Sequence, residues 1–440
     1  MKRTLFVLLA LTMVFGLAMF AGCGGSSSSG GGNNNPPAAT IPTYTGTLYM
    51  ASEGGGHVGV FPVTIDPSNT TTPITITGTA TKIQLASGPT SSTKIVFHDV
   101  RLDKTADRLY YSAFMSRPTN TAVADIGYLD LTAANTAATN NGINSTIDID
   151  APAADTIEFA LNAMGVGAGL RIEYCASGMN STTYFPMSMS FPAYIDAIPK
   201  TLLNGGGAHV TTAQIKRTYI DQIDADAAGW TRINGSGGAD LGTPPLAFIH
   251  GASSPDGTKI YMATNVVSGL STTNNLAGVF RSYMVNASDL EAGTMDTSKV
   301  ISKATFTVMP SLMSIAYRAS FTDDGKYVLQ SGCDRLLILN ANNLSLYNDT
   351  ANDTVKIGGG KTDIENHDVM STPDGKYAIL AIRYVDSAGQ MKTSGVQLYD
   401  IANKKVIGGI TTTCGVSSCH APDIYTARPT CGIVGKLTAH

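Results

Sequence analysis

Glu365-Asn366-His367-Asp368-Val369-Met370-Ser371 is followed by Thr372-Pro373-Asp374-Gly375, and then by Lys376-Tyr377-Ala378-Ile379-Leu380-Ala381-Ile382. Asp-Gly marks a tight turn, because glycine takes positive φ without steric cost. The β-branched and aromatic residues after it read as a strand. A second strand ends in Tyr399-Asp400, an Asn403-Lys404 turn follows, and Val406 to Ile410 closes the unit.

Related units recur along the chain. His98-Asp99-Val100 precedes Asp107-Arg108-Leu109-Tyr110-Tyr111. His250-Gly251-Ala252 precedes Ser254-Pro255-Asp256-Gly257 and the strand through Tyr261. Tyr317-Arg318-Ala319 precedes Thr322-Asp323-Asp324-Gly325 and the strand from Tyr327. Later strands ending in Asp or Asn also match, at Asp130, Asn340 and Asp400. Fixed-period self-similarity of this kind is the signature of a repeat architecture. The unit at 365–410 resembles one blade of the YVTN-type β-propellers, a group that includes the propeller of nitrous-oxide reductase. The expected fold is all-β, a β-propeller over residues 46–412. At roughly fifty residues per repeat that makes about seven four-stranded blades, with six or eight as alternatives. Residues 155–241 fit the repeat least well, and 213–228 reads as a short helical insertion. Residues 413–440 are too few for another blade. They read as a ring-closing segment, Cys431 to Leu437 pairing with strands near Gly46 and so removing exposed sheet edges.

The first residues lie outside this pattern. Lys2-Arg3 and the apolar run Thr4 to Phe20 have the form of a secretory signal over residues 1–22. Phe20-Ala21-Gly22-Cys23 resembles a bacterial lipobox, which implies a lipidated Cys23 and a membrane partner reached through that lipid. Residues 23–45 are rich in Gly, Ser, Asn and Pro, a composition that behaves as a flexible tether. Gly24 is not the Asp that marks inner-membrane retention in many Gram-negative lipoproteins. The expected location is therefore the outer membrane or cell surface, if the organism is Gram-negative. Lys2 and Arg3 leave with the leader, so 27 of the 29 basic residues then face 33 acidic ones, a net charge of −6. Nothing in that balance points to nucleic acid.

Six cysteines occur. Besides Cys23 they are Cys175, Cys333, Cys414, Cys419 and Cys431, an odd set in a compartment that permits disulfides. Cys414-Gly415-Val416-Ser417-Ser418-Cys419-His420 is similar to a c-type haem attachment site. In such a site two thiols bind the haem vinyls and the adjacent histidine binds the iron. The spacing here is Cys-x4-Cys-His rather than the commoner Cys-x2-Cys-His. The alternative is a disulfide between Cys414 and Cys419, or from either to Cys431, with Cys175 and Cys333 as another candidate pair. If haem is bound, His440 is a candidate second axial ligand.

His98, His250 and His367 stand at similar places before the turns of three units, with Tyr317 in a fourth. The resemblance implies that these segments lead into innermost strands near a channel mouth, where converging imidazoles suit copper or another transition metal. The alternative is that each histidine hydrogen-bonds a neighbouring blade. Asp99 and Asp368 read as partners that orient those histidines or as turn caps, and Arg101, Arg318 and Arg383 as surface or inter-blade ion pairs, with an anionic ligand as the alternative. Asp221, Asp224 and Asp226 lack the Gly and terminal Glu of a calcium loop. No Gly-x-Ser-x-Gly, Walker or His-Glu-x-x-His motif occurs. The leading expectation is a lipid-anchored envelope module that binds a ligand or protein. The alternative is an envelope electron-transfer protein with one c-type haem and a redox partner. A lactonase or quinoprotein-like oxidoreductase is the third reading, with no catalytic set behind it.

Overall fold

A computed structural model describes residues 40–52, 57–84, 95–115, 126–131, 143–147, 174–188, 194–203, 212–226, 247–266, 279–307, 316–332, 335–347, 364–385, 391–410 and 432–440. The short apolar segments of the sequence become antiparallel strands grouped into six sheets. The first joins β1 (Tyr44–Ser52), β2 (His57–Ile65), β3 (Ile74–Ile76) and β4 (Thr81–Gln84) to β24 (Gly432–Ala439). The second is β5 (Ile95–Asp103), β6 (Arg108–Met115), β7 (Ile126–Asp130) and β8 (Ile143–Ile147). The third is β9 (Tyr174–Met179), β10 (Thr183–Ser188), β11 (Tyr194–Pro199) and β12 (Lys216–Tyr219). The fourth is β13 (Ala247–Ser253), β14 (Lys259–Val266), β15 (Val279–Asn286) and β16 (Ser302–Thr307). The fifth has three strands among the described residues, β17 (Ala319–Phe321), β18 (Tyr327–Gly332) and β19 (Arg335–Asn340). The sixth is β20 (Ile364–Ser371), β21 (Tyr377–Val385), β22 (Met391–Asp400) and β23 (Lys405–Ile410).

One edge strand of each sheet neighbours the edge strand of the next. β24 lies beside β5, β5 beside β9, β9 beside β13, β13 beside β17, β17 beside β20, and β20 beside β24 again. That closed circuit is a six-bladed β-propeller, not the seven blades that the repeat length suggests. Inner strands begin at Ile95, Tyr174, Ala247, Ala319 and Ile364. Most intervals exceed fifty residues because long segments separate the strands, so dividing length by repeat overcounts. Residues 174–219 form one blade, and the expected helix at 213–228 is instead strand β12 followed by a single helical turn at Ile220–Ile223.

The apolar cores lie between blades. Phe185 and Met187 of the third pack with Ile260, Met262 and Tyr283 of the fourth. Leu48, Phe61 and Val63 of the first pack with Ile379, Val396 and Leu398 of the sixth. Burial of such side chains contributes about 1.5–3 kcal/mol each. β24, from the end of the chain, pairs antiparallel with β1, from Tyr44 opposite Ala439 to Ala51 opposite Gly432. The innermost place in the first blade is thus filled by the last strand. Gly46 makes this register possible. Its φ is +155°, and a Cβ there would sit 1.9 Å from the Lys436 carbonyl oxygen.

Candidate functional site

Three inner hairpins share one turn chemistry. The side chains of Ser254, Thr322 and Thr372 hydrogen-bond the carboxylates of Asp256, Asp324 and Asp374 two residues on. Gly257, Gly325 and Gly375 follow with positive φ. The backbone N–H groups of Ser254, Thr322 and Thr372 donate to the carbonyls of Lys259, Tyr327 and Tyr377. This common frame aligns the inner strands. Counting four residues back from each turn residue reaches His250, Arg318 and Asp368, and from Asp103 the same count reaches Asp99.

The alignment exposes a feature hidden in the sequence. Both β5 and β20 carry a register shift, between Phe97 and Asp99 and between Asn366 and Asp368. His98 and His367 are therefore the extra residues of β-bulges, which re-aim side chains. The residues in register with His250 are Asp99 and Asp368, not the neighbouring histidines.

Asp99, Asp368 and Arg318 are essentially inaccessible, and together with Arg101 they form a charged layer across the axis. Arg101 Nη1 donates to Asp99 Oδ1 at 2.8 Å and to Asp368 Oδ2 at 3.0 Å, bridging the second and sixth blades. Arg318 Nε, from the fifth blade, lies 3.2 Å from Asp99 Oδ2. Backbone donors complete the carboxylates. Val100 N reaches Asp99 at 2.7 Å, and Val369 N and Ile433 N reach Asp368 at 2.8 Å each. Two carboxylates and two guanidinium groups balance, as buried charges must. Burial pushes the Asp368 carboxyl up to about 6; Arg101 opposes this and the Asp99 charge reinforces it. Burial works against the Arg101 charge, yet Asp368 and Asp99 hold its proton more tightly than usual.

Arg318 also points Nη1 at His367 Nδ1. A guanidinium only donates, so that nitrogen carries no proton and is occupied as an acceptor. The His367 ring lies tilted against Tyr317 with centroids 4.4 Å apart, and His250 meets Tyr317 edge on at 6.4 Å. The structure thus brings His250 and His367 to one aromatic group. Among the described residues no group of three or more His, Cys, Asp or Glu is placed to hold a metal. A guanidinium against His367 disfavours a cation there. His98 lies in β5, on its bulge.

His440 follows directly after β24, and its Nε2 lies 2.7 Å from Thr45 Oγ1. Cys175 lies in β9. Cys23, Cys333, Cys414, Cys419, His420 and Cys431 fall outside the described residues, as do the leader and most of the tether. Asp224 is no calcium ligand in this arrangement. It accepts from Arg281, Lys303 and Tyr283 at 2.7, 2.8 and 2.6 Å. These donors outweigh its burial and hold it well down, at about 2.

Beyond the charged layer, toward the hairpin turns, lies an axial cavity of about 460 Å³. Every blade contributes to it, through Arg101, Met179, Ser253, Phe321, Ser371 and Val434 among others. Arg101 belongs both to the charged layer and to the cavity lining, so the layer forms the cavity floor. Sequence reasoning singled out Arg101 but not the cavity, because its serines come from different blades. The only available signal was that Ser253 and Ser371 each directly precede a turn residue.

No protein-family model matches the chain, and no curated protein matches its sequence. Its shape is similar to several solved structures. A nidogen/laminin complex is 12% identical over 89% of this chain and 98% of that one, with a TM-score of 0.42. The β-propeller domain of Swd1 from Myceliophteria thermophila is 11% identical over 87% and 90%, with a TM-score of 0.39. A periplasmic gluconolactonase from Pseudomonas aeruginosa is 10% identical over 84% and 95%, with a TM-score of 0.38.

Proposed function

We propose that this chain is a lipid-anchored binding module of the cell envelope, and that the axial cavity is its ligand site. The cavity carries the reading. It is concave, of a volume common for small-molecule sites (about 300–1,000 Å³), and lined by the ends of the inner strands and the short turns that follow them. Export and anchoring rest on the leader, the lipobox ending in Cys23 and the tether. They are tested by detergent phase partitioning. The native protein is expected in the detergent phase and Cys23→Ser in the aqueous phase. Ligand-observed NMR against a small-molecule library tests the site. Compounds that bind the native protein should be lost when Ser253→Trp fills the cavity. Binders indifferent to that substitution would remove the cavity from the account.

A second reading, envelope electron transfer, rests on Cys414-x4-Cys419-His420. Protein exported from a host with cytochrome c maturation would then show sharp reduced α and β bands that Cys419→Ala abolishes. Colourless protein from that host would retire it, leaving these cysteines to disulfide chemistry.

A further inference from the structure

Most of the charges around the cavity are already matched within the protein. Asp103 is buried and accepts from Lys200 Nζ at 2.6 Å, while its other oxygen takes the Thr105 and Ala106 backbone N–H groups. At the rim Lys104 pairs with Asp323 at 2.5 Å. Arg101 is shared between Asp99 and Asp368. An anionic ligand would find no unpaired cation there among the described residues, and Asp256, the lining carboxylate without an ion pair, is already taken up by hydrogen bonds from Ser254 and Thr258; an ionised ligand's own desolvation would oppose binding.

The hydroxyls are differently placed. Ser253 and Ser371 hold the same position in two alternate blades, one residue before the turn residue. Each accepts a backbone N–H from the preceding blade, Met179 N at 3.1 Å and Asp323 N at 3.0 Å. A hydroxyl that accepts in this way keeps its own proton to donate. Phe321, Met370 and Val434 add apolar surface between these donors. A purely apolar ligand would leave the donors unpaired, at a cost of about 1–3 kcal/mol each.

Resting on the cavity being the binding site, we infer that it takes an uncharged, polyhydroxylated small molecule of the saccharide class, with Ser253 and Ser371 donating to it. Such a ligand supplies acceptor oxygens for the serines and C–H faces for the apolar wall.

Isothermal titration calorimetry tests this with glucose, N-acetylglucosamine, maltose and cellobiose at millimolar concentration. Glucose-6-phosphate, gluconate and glucosamine serve as charged counterparts. At least one neutral saccharide should bind and its charged counterparts should not. Ser253→Ala and Ser371→Ala should each weaken binding about three- to tenfold, the value of one neutral hydrogen bond. Ser253→Thr, which keeps the hydroxyl, should retain affinity and serves as the control for folding. If only charged probes bind, and Ser253→Trp blocks them, the ligand class is wrong while the cavity stands as a binding site. If no neutral saccharide binds, the inference falls. If in addition the library screen yields no compound sensitive to Ser253→Trp, the cavity reading falls with it.

Discussion

Replacing Arg318 by Met tests whether the axial charged layer is a matched unit. The substitution leaves two buried carboxylates, Asp99 and Asp368, sharing the single guanidinium of Arg101. Breaking a buried pair by removing one partner costs about 3–5 kcal/mol. Two features place this case at the lower end. Asp99 keeps its bonds from Val100 N and Arg101. Asp368, already raised to about 6, can also take up a proton when the cation is lost. At pH 7 that uptake costs about 1.4 kcal/mol per pH unit above the carboxyl's pKa. Arg318→Met is therefore expected to destabilise by about 3 kcal/mol. The double variant Arg318→Met with Asp99→Asn restores neutrality and should recover more than half of that loss. Equilibrium urea unfolding reads both, as shifts in midpoint at constant slope. A loss below about 1 kcal/mol for the single variant, the scale of an exposed ion pair, would refute the matched-layer argument. So would a double variant whose loss is the sum of the singles.

Three further outcomes follow from the same geometry. The raised Asp368 carboxyl binds its proton more tightly in the folded than in the unfolded chain. Its contribution to stability therefore falls as pH rises from about 4 to about 6 and is level above that. Asp368→Asn should remove this slope from the urea midpoint profile, and parallel profiles would argue against it. Gly46→Ala forces a Cβ onto the Lys436 carbonyl. It should loosen β24 from β1 by at least about 1–3 kcal/mol, the range for forced overpacking. The readout is faster hydrogen exchange across residues 432–439, and unchanged exchange would be inconsistent with tight closure there. Gly375→Ala and Gly325→Ala share a left-handed backbone, with φ of +67° and +71°, worth about 1–2 kcal/mol. Only the first also drives a Cβ to 2.9 Å from the Asp324 carboxyl carbon, so it should be the more damaging in thermal unfolding. Equal losses would mean that the neighbouring turn yields freely.

What could be read in the sequence was what is local. Asp-Gly turns followed by strands rich in Tyr, Ile and Leu depend on a few adjacent residues, so the hairpins at Asp256, Asp324 and Asp374 were legible, and with them the all-β class. Blade number was not, because it depends on how much chain separates strands, and that length carries no periodic signal. The site was half legible for a more particular reason. His98-Asp99 and His367-Asp368 resemble the His250 segment when matched to within a residue or two, which suggested three imidazoles aimed at one axis. Counted back from the turn residue, the place of His250 falls on Asp99 and Asp368, and each histidine is the extra residue of the bulge just before it. That place, shared with Arg318, holds Asp99 and Asp368 as carboxylates facing the guanidinium groups of Arg101 and Arg318. The carboxylates call for cationic partners, Arg101 and Arg318 supply them, and the matched charge leaves the hydroxyl-lined cavity beyond Arg101 as the space to which the proposed ligand is assigned.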